Sequence, residues 1–270
     1  MKIGIFDSGL GGLGLLFCAA KVMPSAEFIY YADTDNVPYG EKPREVIITL
    51  SDRAVGKLRE MGAAAVVVAC NTATSAAIVE LRKKYESGEG AIPIIGMEPA
   101  VKRAIDLCRK GRILTAATPL TVKGAKLRSL LERFDTAKRT DTIPLPGLVR
   151  LAESGDFDGG YDYITGAVNA ASLKLGDYSA LVLGCTHFNY FKDSFKRILP
   201  EGACIVDGNT GTVNQLLRRV GETPAPLDGD PVESVMSRTV FLCSGRVNTD
   251  EHSLERIKKC LRRLEEMERI

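Results

Sequence analysis

The sequence has few of the features that mark a partner of nucleic acids or membranes. Its 36 basic and 34 acidic residues leave a net charge of only +2, and no basic run exceeds three residues. Neither value favours nucleic-acid binding. No apolar stretch approaches the roughly 20 residues that a membrane-spanning helix needs, and the N-terminus becomes polar too early for a signal peptide. We therefore expect a cytoplasmic protein with neither kind of partner.

The chain also lacks the residue spacings of common metal sites and disulfide frameworks. It has two histidines, His187 and His252, and no C-x-x-C or H-x-x-x-H pattern. A zinc site made from Cys70, Cys185 and His187 is a poor match, because C-x-H is not a common zinc-ligand spacing. Seven scattered cysteines are an odd number, which favours free thiols in a reducing compartment. We expect neither a metal nor a disulfide.

What the sequence does contain is an alternation of short apolar runs and helical patterns, which is typical of an α/β fold with mostly parallel sheets. Two motifs recur in the same order at similar spacing. A turn with polar side chains follows a predicted strand at Asp7 and again at Thr118, and a cysteine follows one at Cys70 and again at Cys185. We therefore predict two similar halves, related by a pseudo-two-fold axis, that face each other across a central cleft.

The length of 270 residues is compatible with two modest domains. We predict that residues 1–97 and 208–270 form one discontinuous domain and that residues 98–207 form the other. The first is expected to be discontinuous because the last predicted strand and helix would return to pack on it. Helical patterns are predicted over residues 45–61, 73–85, 100–108 and 162–175. Two further helices are predicted, one from the turn at 118 through residue 131 and one from 185 to about 199. Residues 144–153 are predicted to form a proline-containing loop that leads into a helix.

The two cysteines that follow strands are the strongest candidates for chemistry. Residues 180–183 are apolar and lead into the sequence Gly-Cys-Thr-His at 184–187, and residues 65–69 lead into Cys70. In open α/β sheets, ligands bind beyond the carboxyl ends of the strands. A thiol there becomes a useful base or nucleophile when a neighbour favours its thiolate. The other five cysteines lie in apolar segments, and burial alone explains them.

A glycine-rich turn follows the first predicted strand and precedes a predicted helix, a context that can bind an anion. Residues 9–14 match the dinucleotide pattern G-x-G-x-x-G, but no acidic residue is convincing as a ribose partner. Glu27 and Asp33 precede or lie within the second predicted strand. We do not expect a nicotinamide cofactor.

Three further residues have both an ordinary and a functional interpretation. Asp7 is either a helix cap or, at a strand end near Cys70, a proton acceptor. His187 is either a residue at a helix N-terminus or a group that exchanges protons with the nearby thiol. Glu153, taken alone, has the character of a surface carboxylate. The sequence pattern alone leaves these alternatives open.

Together these motifs resemble the glutamate racemases of the cofactor-independent aspartate/glutamate racemase superfamily. The similarity covers most of the chain, and its most specific elements are Cys-Asn-Thr at 70–72 and Gly-Cys-Thr-His at 184–187. The matching segments are residues 6–12, 37–40, 69–74, Glu98-Pro99, 117–118, 121–122, Glu153 and 183–187.

The resemblance implies a cofactor-independent isomerase with two α/β domains around a cleft, usually a homodimer, that supplies D-glutamate for peptidoglycan. One thiolate would remove the α-proton of glutamate and the opposite thiol would protonate the other face. Asp7 would assist Cys70, while His187, with Glu153 beside it, would assist Cys185. The residues that would bind the carboxylates and amine of the substrate are Asp7, Ser8, Tyr39, Gly40, Asn71, Thr72, Thr118, Thr121, Thr186 and His187.

Three regions depart from the pattern of that family, and they leave the substrate side chain open. Alternatives are a racemase of aspartate or another amino acid, and a non-catalytic binding or regulatory protein that retained the cleft. The departing residues are Phe188 and Asn189 after Cys-Thr-His, Gly124 and Leu127 after the Thr-Val turn, and Gly147 and Arg150 in the proline-containing loop.

Overall fold

The computed structural model describes residues 1–97, 100–108 and 110–270, which form an α/β fold with two sheets. The strands are β1 (Lys2–Asp7), β2 (Glu27–Ala32), β3 (Ala65–Val68), β4 (Ile94–Gly96), β5 (Arg112–Ala117), β6 (Thr140–Pro144), β7 (Tyr178–Leu183), β8 (Cys204–Val206), β9 (Thr239–Cys243) and β10 (Arg246–Val247). The helices are α1 (Leu13–Val22), α2 (Arg44–Glu60), α3 (Asn71–Tyr85), α4 (Val101–Leu107), α5 (Pro119–Lys123), α6 (Ala125–Phe134), α7 (Pro146–Ser154), α8 (Gly160–Ala170), α9 (Lys192–Ile198), α10 (Asn209–Val220), α11 (Pro231–Arg238) and α12 (Glu251–Met267). Short 3₁₀ segments lie at Tyr39–Glu41, Leu175–Asp177 and Thr186–Phe191.

The two sheets repeat the same strand order. The first sheet has the order β10-β9-β2-β1-β3-β4 and the second has β6-β5-β7-β8. Numbered along the chain within each half, the first four strands of each sheet lie side by side in the order 2-1-3-4. All of the described pairings are parallel except that of β10 with β9. In this arrangement β3 and β7 occupy equivalent positions. The predicted α/β class with mostly parallel sheets is confirmed.

The central strands are continuous apolar runs because helices cover both faces of a parallel sheet. All four residues of β3 are buried, as are the last five of β1. One buried apolar cluster contains side chains from both halves, including Leu10 and Leu114. Helix α12 contacts α1 and also the 3₁₀ segment that follows Cys185. The C-terminal helix therefore packs against both halves of the molecule.

Several elements differ from the sequence prediction. The pattern predicts a continuous helix after Cys185, but residues 186–191 form a 3₁₀ segment in which every residue is buried, and α9 begins only at Lys192. The helix predicted through residue 131 is interrupted at Gly124, which has an extended backbone. Strand β6 has no counterpart in the prediction, because its sequence, Thr-Asp-Thr-Ile-Pro, lacks an apolar run. Helix α3 begins at Asn71, earlier than predicted.

The strands of the first sheet come from residues 1–97 and 208–270, and those of the second come from residues 98–207. This division is compatible with the two predicted domains, whose boundaries stay a prediction. Among the described helices, none is long and apolar enough to cross a membrane.

Candidate active site

Cys70 and Cys185 line the same narrow cleft, one from each sheet. Cys70 lies just beyond β3 and is the N-cap of α3, where its sulfur accepts a hydrogen bond of 3.4 Å from the N–H of Ala73. Cys185 lies just beyond β7. Only 5% and 6% of the two residues is exposed. The carboxyl ends of two equivalent strands thus present two buried thiols to one space.

Most of the predicted site residues are brought together here. The cleft is also lined by Pro38, Glu41, Pro119, Pro146 and Val149, which were not among the predicted site residues, although all five lie in or next to predicted motifs. The predicted residues that line it are Ser8, Tyr39, Gly40, Cys70, Asn71, Thr72, Thr118, Cys185, Thr186 and His187.

Three predicted residues, Asp7, Thr121 and Glu153, lie behind the lining and contact it. The fully buried carboxylate of Asp7 accepts hydrogen bonds of 3.0 Å from the N–H of Gly9 and from the hydroxyl of Thr186. Thr121 accepts a hydrogen bond of 3.0 Å from Thr118. These residues hold other side chains in place, and none of the three lines the cleft. Glu98 and Pro99, part of the family resemblance, lie outside the described residues.

The thiol of Cys70 is kept protonated by its surroundings. Burial, together with the nearby charge of Asp7, raises its pKa to about 12, although the N–H of Ala73 and the hydroxyl of Ser8 oppose the shift. The Cys70 sulfur lies 3.5 Å from Ser8 Oγ. Burial also raises the pKa of Asp7, to about 6, against the opposing effect of His187. At neutral pH this side of the cleft therefore holds a thiol beside a mostly ionised carboxylate.

Cys185 has a different set of partners. Its sulfur lies 3.8 Å from Nδ1 of His187, whose Nε2 lies 2.6 Å from Oε1 of Glu153. Burial alone would lower the pKa of His187, but Cys185 and Glu153 raise it well above its ordinary value. Burial alone would raise the pKa of Glu153, but His187, the N–H of Leu10 and Arg256 lower it. The result is an imidazolium that pairs with a carboxylate on one side and faces the sulfur of Cys185 on the other.

Glu153 is therefore not a surface carboxylate. Its side chain is only 15% exposed, and its Oε1 also accepts a hydrogen bond of 2.7 Å from the N–H of Leu10. Leu10 belongs to the first half of the molecule and Glu153 to the second. The family resemblance places Glu153 beside His187, but no sequence pattern marks its contact with Leu10.

The glycines of the turn after β1 allow close approach of the Cys185 partners. A Cβ at Gly11 would lie 2.5 Å from Oγ1 of Thr186 and 2.6 Å from Nδ1 of His187. A Cβ at Gly9 would overlap Oε1 of Glu153. Side chains at these positions would displace the histidine and its carboxylate. Here the turn packs against the second thiol site, which explains the glycines without a dinucleotide.

A hydroxyl pair joins the two halves across the cleft. Oγ1 of Thr72, in the first turn of α3, lies 3.0 Å from Oγ1 of Thr118, the N-cap of α5. At the cleft edge, Arg150 forms an ion pair of 2.6 Å with Glu41.

The six residues that depart from the family pattern, all of them described, do not line the cleft. Within the described ranges, no group of three or more His, Cys, Asp or Glu side chains is placed to hold a metal ion.

The chain is similar to known racemases over nearly its whole length. Residues 17–216 match the Asp/Glu/hydantoin racemase family. A glutamate racemase from Campylobacter curvus is 49% identical over 270 residues, which cover 97% of this chain and 99% of that protein. One from Lachnospira eligens is 47% identical, with 100% of both chains covered. The structure of Escherichia coli glutamate racemase in complex with L-glutamate and the activator UDP-MurNAc-ala has a TM-score of 0.77 at 26% identity, covering 92% of this chain and 98% of that one.

Proposed function

The chain belongs to the Asp/Glu/hydantoin racemase family, and from this premise we propose that it interconverts L- and D-glutamate without a cofactor, using Cys70 and Cys185 as its two bases. The observation that carries this proposal is the placement of two buried thiols, one from each half, in a single cleft with different ionisable partners. Inversion of a carbon needs a base on one face and an acid on the other. A cleft between two similar halves supplies both.

In the proposed reaction, the thiolate of one cysteine takes the α-proton of glutamate and becomes a thiol. The electron pair left behind is delocalised into the α-carboxylate. The thiol of the other cysteine then donates its proton to the opposite face and becomes a thiolate. One proton leaves the carbon and one arrives, so the reaction needs no oxidant or reductant. In the reverse direction the cysteines exchange roles.

The surroundings of the two sulfurs suit this division of roles. Cys70 is a thiol and is ready to act as the acid, and the sulfur of Cys185 lies 3.8 Å from the His187 ring. Asp7 assists Cys70, since a carboxylate whose pKa is about 6 can accept a proton near neutral pH. His187 and Glu153 assist Cys185.

The polar groups of the cleft are proposed to hold the substrate. Hydroxyls at Ser8, Thr72, Thr118 and Thr186 can donate to its carboxylates without adding a fixed positive charge. Oδ1 of Asn71 is buried and, among the described residues, has no hydrogen-bond partner. A buried acceptor of this kind suits the ammonium group of an amino acid. Tyr39 and Gly40 complete the proposed set, and Thr121 supports it from behind the lining through its hydrogen bond with Thr118.

The test is a racemisation assay on purified, reduced, metal-chelated protein with each enantiomer of glutamate and of aspartate. Interconversion of L- and D-glutamate with no added cofactor is the expected result. Turnover of aspartate alone would keep the mechanism but contradict the proposed substrate. No turnover of any amino acid would contradict the proposal that the protein is a racemase.

We further propose that the protein is a homodimer and that it supplies D-glutamate for peptidoglycan. Light scattering of the purified protein tests the dimer.

A further inference from the structure

The C-terminal helix reaches the partners of Cys185 from behind. Arg256, in the second turn of α12, donates a hydrogen bond to the backbone carbonyl of Glu153, and its guanidinium lies 3.6 Å from Oε2 of the same residue. The other carboxylate oxygen of Glu153, Oε1, is the one that contacts His187. A continuous series of contacts therefore runs from Arg256 through Glu153 and His187 to the sulfur of Cys185.

The two contacts of Arg256 hold both the backbone carbonyl and the side-chain carboxylate of Glu153. The carbonyl of Glu153 lies in the last turn of α7, where helical carbonyls lack partners within their own helix and a cation is favourable. The planar guanidinium bonds that carbonyl and faces the carboxylate at the same time, which a lysine ammonium matches less well. Backbone and side chain of Glu153 are thereby held in one orientation.

The charges around Glu153 make this cation important. The groups that interact with its carboxylate are His187 from the 3₁₀ segment, the N–H of Leu10 from the turn after β1, and Arg256 from α12. Asp7, itself an acid, also lies close enough to interact unfavourably with it. A buried anion near a second carboxylate depends on its cationic neighbours.

We propose that Arg256 is a positioning residue for proton transfer at Cys185. It orients the carboxylate of Glu153, which in turn holds the His187 imidazolium against the Cys185 sulfur. On the Cys70 side, the equivalent carboxylate is that of Asp7. Its hydrogen-bond donors are the N–H of Gly9 and the hydroxyl of Thr186, and neither is a cation. Arg256 should therefore influence proton transfer at Cys185 more than proton transfer at Cys70.

The first part of the test reads His187 directly and does not need turnover. The chain has only two histidines, and His252 is exposed at the start of α12, so a ¹⁵N imidazole spectrum shows two residues that a His252→Gln variant assigns. In Arg256→Met, the pH at which His187 loses its proton should fall by about one unit. Arg256→Lys should retain most of the wild-type value.

The matched control is Arg262→Met, which removes a cation from the same helix. Arg262 pairs with Asp230, Glu233 and Glu265, away from Glu153. This variant should leave the His187 titration unchanged. An Arg256→Met protein whose His187 titrates like that of the wild type would overturn the inference.

The second part rests on the proposed function and uses α-deuterated glutamate. The two enantiomers are equally stable, so kcat/KM is equal in both directions for every variant, and rates alone do not locate the defect. Arg256→Met should lower kcat about tenfold, with a smaller change in KM. It should raise the primary isotope effect mainly in the direction in which Cys185 removes the α-proton. If the isotope effect rises equally in both directions, and thermal unfolding shows that the variant is folded, the assignment to Cys185 is overturned. If the wild type does not racemise glutamate, the proposed function fails while the His187 titration still decides the role of Arg256.

Discussion

The hydroxyl of Thr186 donates a hydrogen bond of 3.0 Å to the carboxylate of Asp7. Thr186 follows Cys185 in the second half of the chain, and Asp7 is the acidic neighbour of Cys70 in the first. One hydrogen bond thus links the surroundings of the two thiols. The same carboxylate interacts favourably with His187 and raises the pKa of Cys70. The two bases are therefore electrostatically coupled through Asp7.

We predict that Asp7→Asn changes the pH dependence of stability. A carboxyl whose pKa is raised from 3.8 to about 6 by folding stabilises the fold below pH 3.8, and this contribution is lost as the pH rises through about 6. Asparagine keeps the shape and has no such titration. Relative to wild type, the free energy of unfolding of Asp7→Asn should therefore rise by about 2 kcal/mol between pH 4 and pH 7. Urea unfolding of both proteins measures it, and a difference that does not vary with pH would contradict the unfavourable ionisation of Asp7.

The cysteine variants should separate catalysis from packing. Cys70→Ser and Cys185→Ser are each expected to lower racemisation by at least about 10³-fold, because a serine hydroxyl is a far weaker acid than a thiol at the same position. Cys204→Ser is the control and should retain activity, because this thiol lies outside the cleft and, contrary to the burial expected from the sequence, is exposed. Far-ultraviolet circular dichroism spectra, recorded at one temperature, check that all three variants are folded. Substantial activity in either cleft variant would contradict the two-thiol mechanism.

Much of this fold is predictable because buried parallel strands are unmistakable in sequence. The runs that end at Cys70 and Cys185 are apolar on both faces, and they place the two thiols at strand ends without further information. The family resemblance then supplies most of the cleft. Strand β6 escaped prediction because it is only partly buried and carries polar residues.

The contacts that organise the site were not predictable from local pattern. Leu10 bonds to Glu153 and Arg256 contacts the same residue, although these pairs are 143 and 103 positions apart. Nothing in the residues around Arg256 distinguishes it from the other cations of a charged amphipathic helix. Such pairings depend on how the two halves and the last helix pack, which single-sequence periodicity does not encode.

Gly11→Ala tests the close approach of the glycine-rich turn. The added methyl group would lie 2.5 Å from Thr186 Oγ1 and 2.6 Å from His187 Nδ1, so it should displace the histidine from Cys185. We expect kcat to fall at least about tenfold. Gly166→Ala in α8 is the control, since a Cβ there has no neighbour within 4 Å, and alanine should be neutral or stabilise the helix by about 0.5–1 kcal/mol. Equal activities of the two variants would show that the turn tolerates a side chain.

Thr118, the N-cap of α5, and Thr115, inside β5, together test substrate binding. Thr118→Val removes the hydroxyl that contacts Thr72 and Thr121, and we expect KM for glutamate to rise with a smaller change in kcat. Thr115→Val is the control, because Oγ1 of Thr115 is buried with no partner among the described residues. Its stability should be unchanged or higher, and its KM should not change. A normal KM in Thr118→Val would remove this hydroxyl from the proposed binding set.

The most direct test of the two-thiol mechanism is the fate of the α-proton at early times in D₂O, followed by NMR for each enantiomer of glutamate. In a two-thiol reaction, the base that removes the proton is not the acid that returns one, and the thiol on the opposite face carries deuterium from solvent. The product enantiomer should therefore form with deuterium at the α-carbon while the unreacted substrate still carries protium. Deuterium appearing equally in unreacted substrate and product, or product that retains the original proton, would mean that a single base acts on both faces and would contradict the central claim.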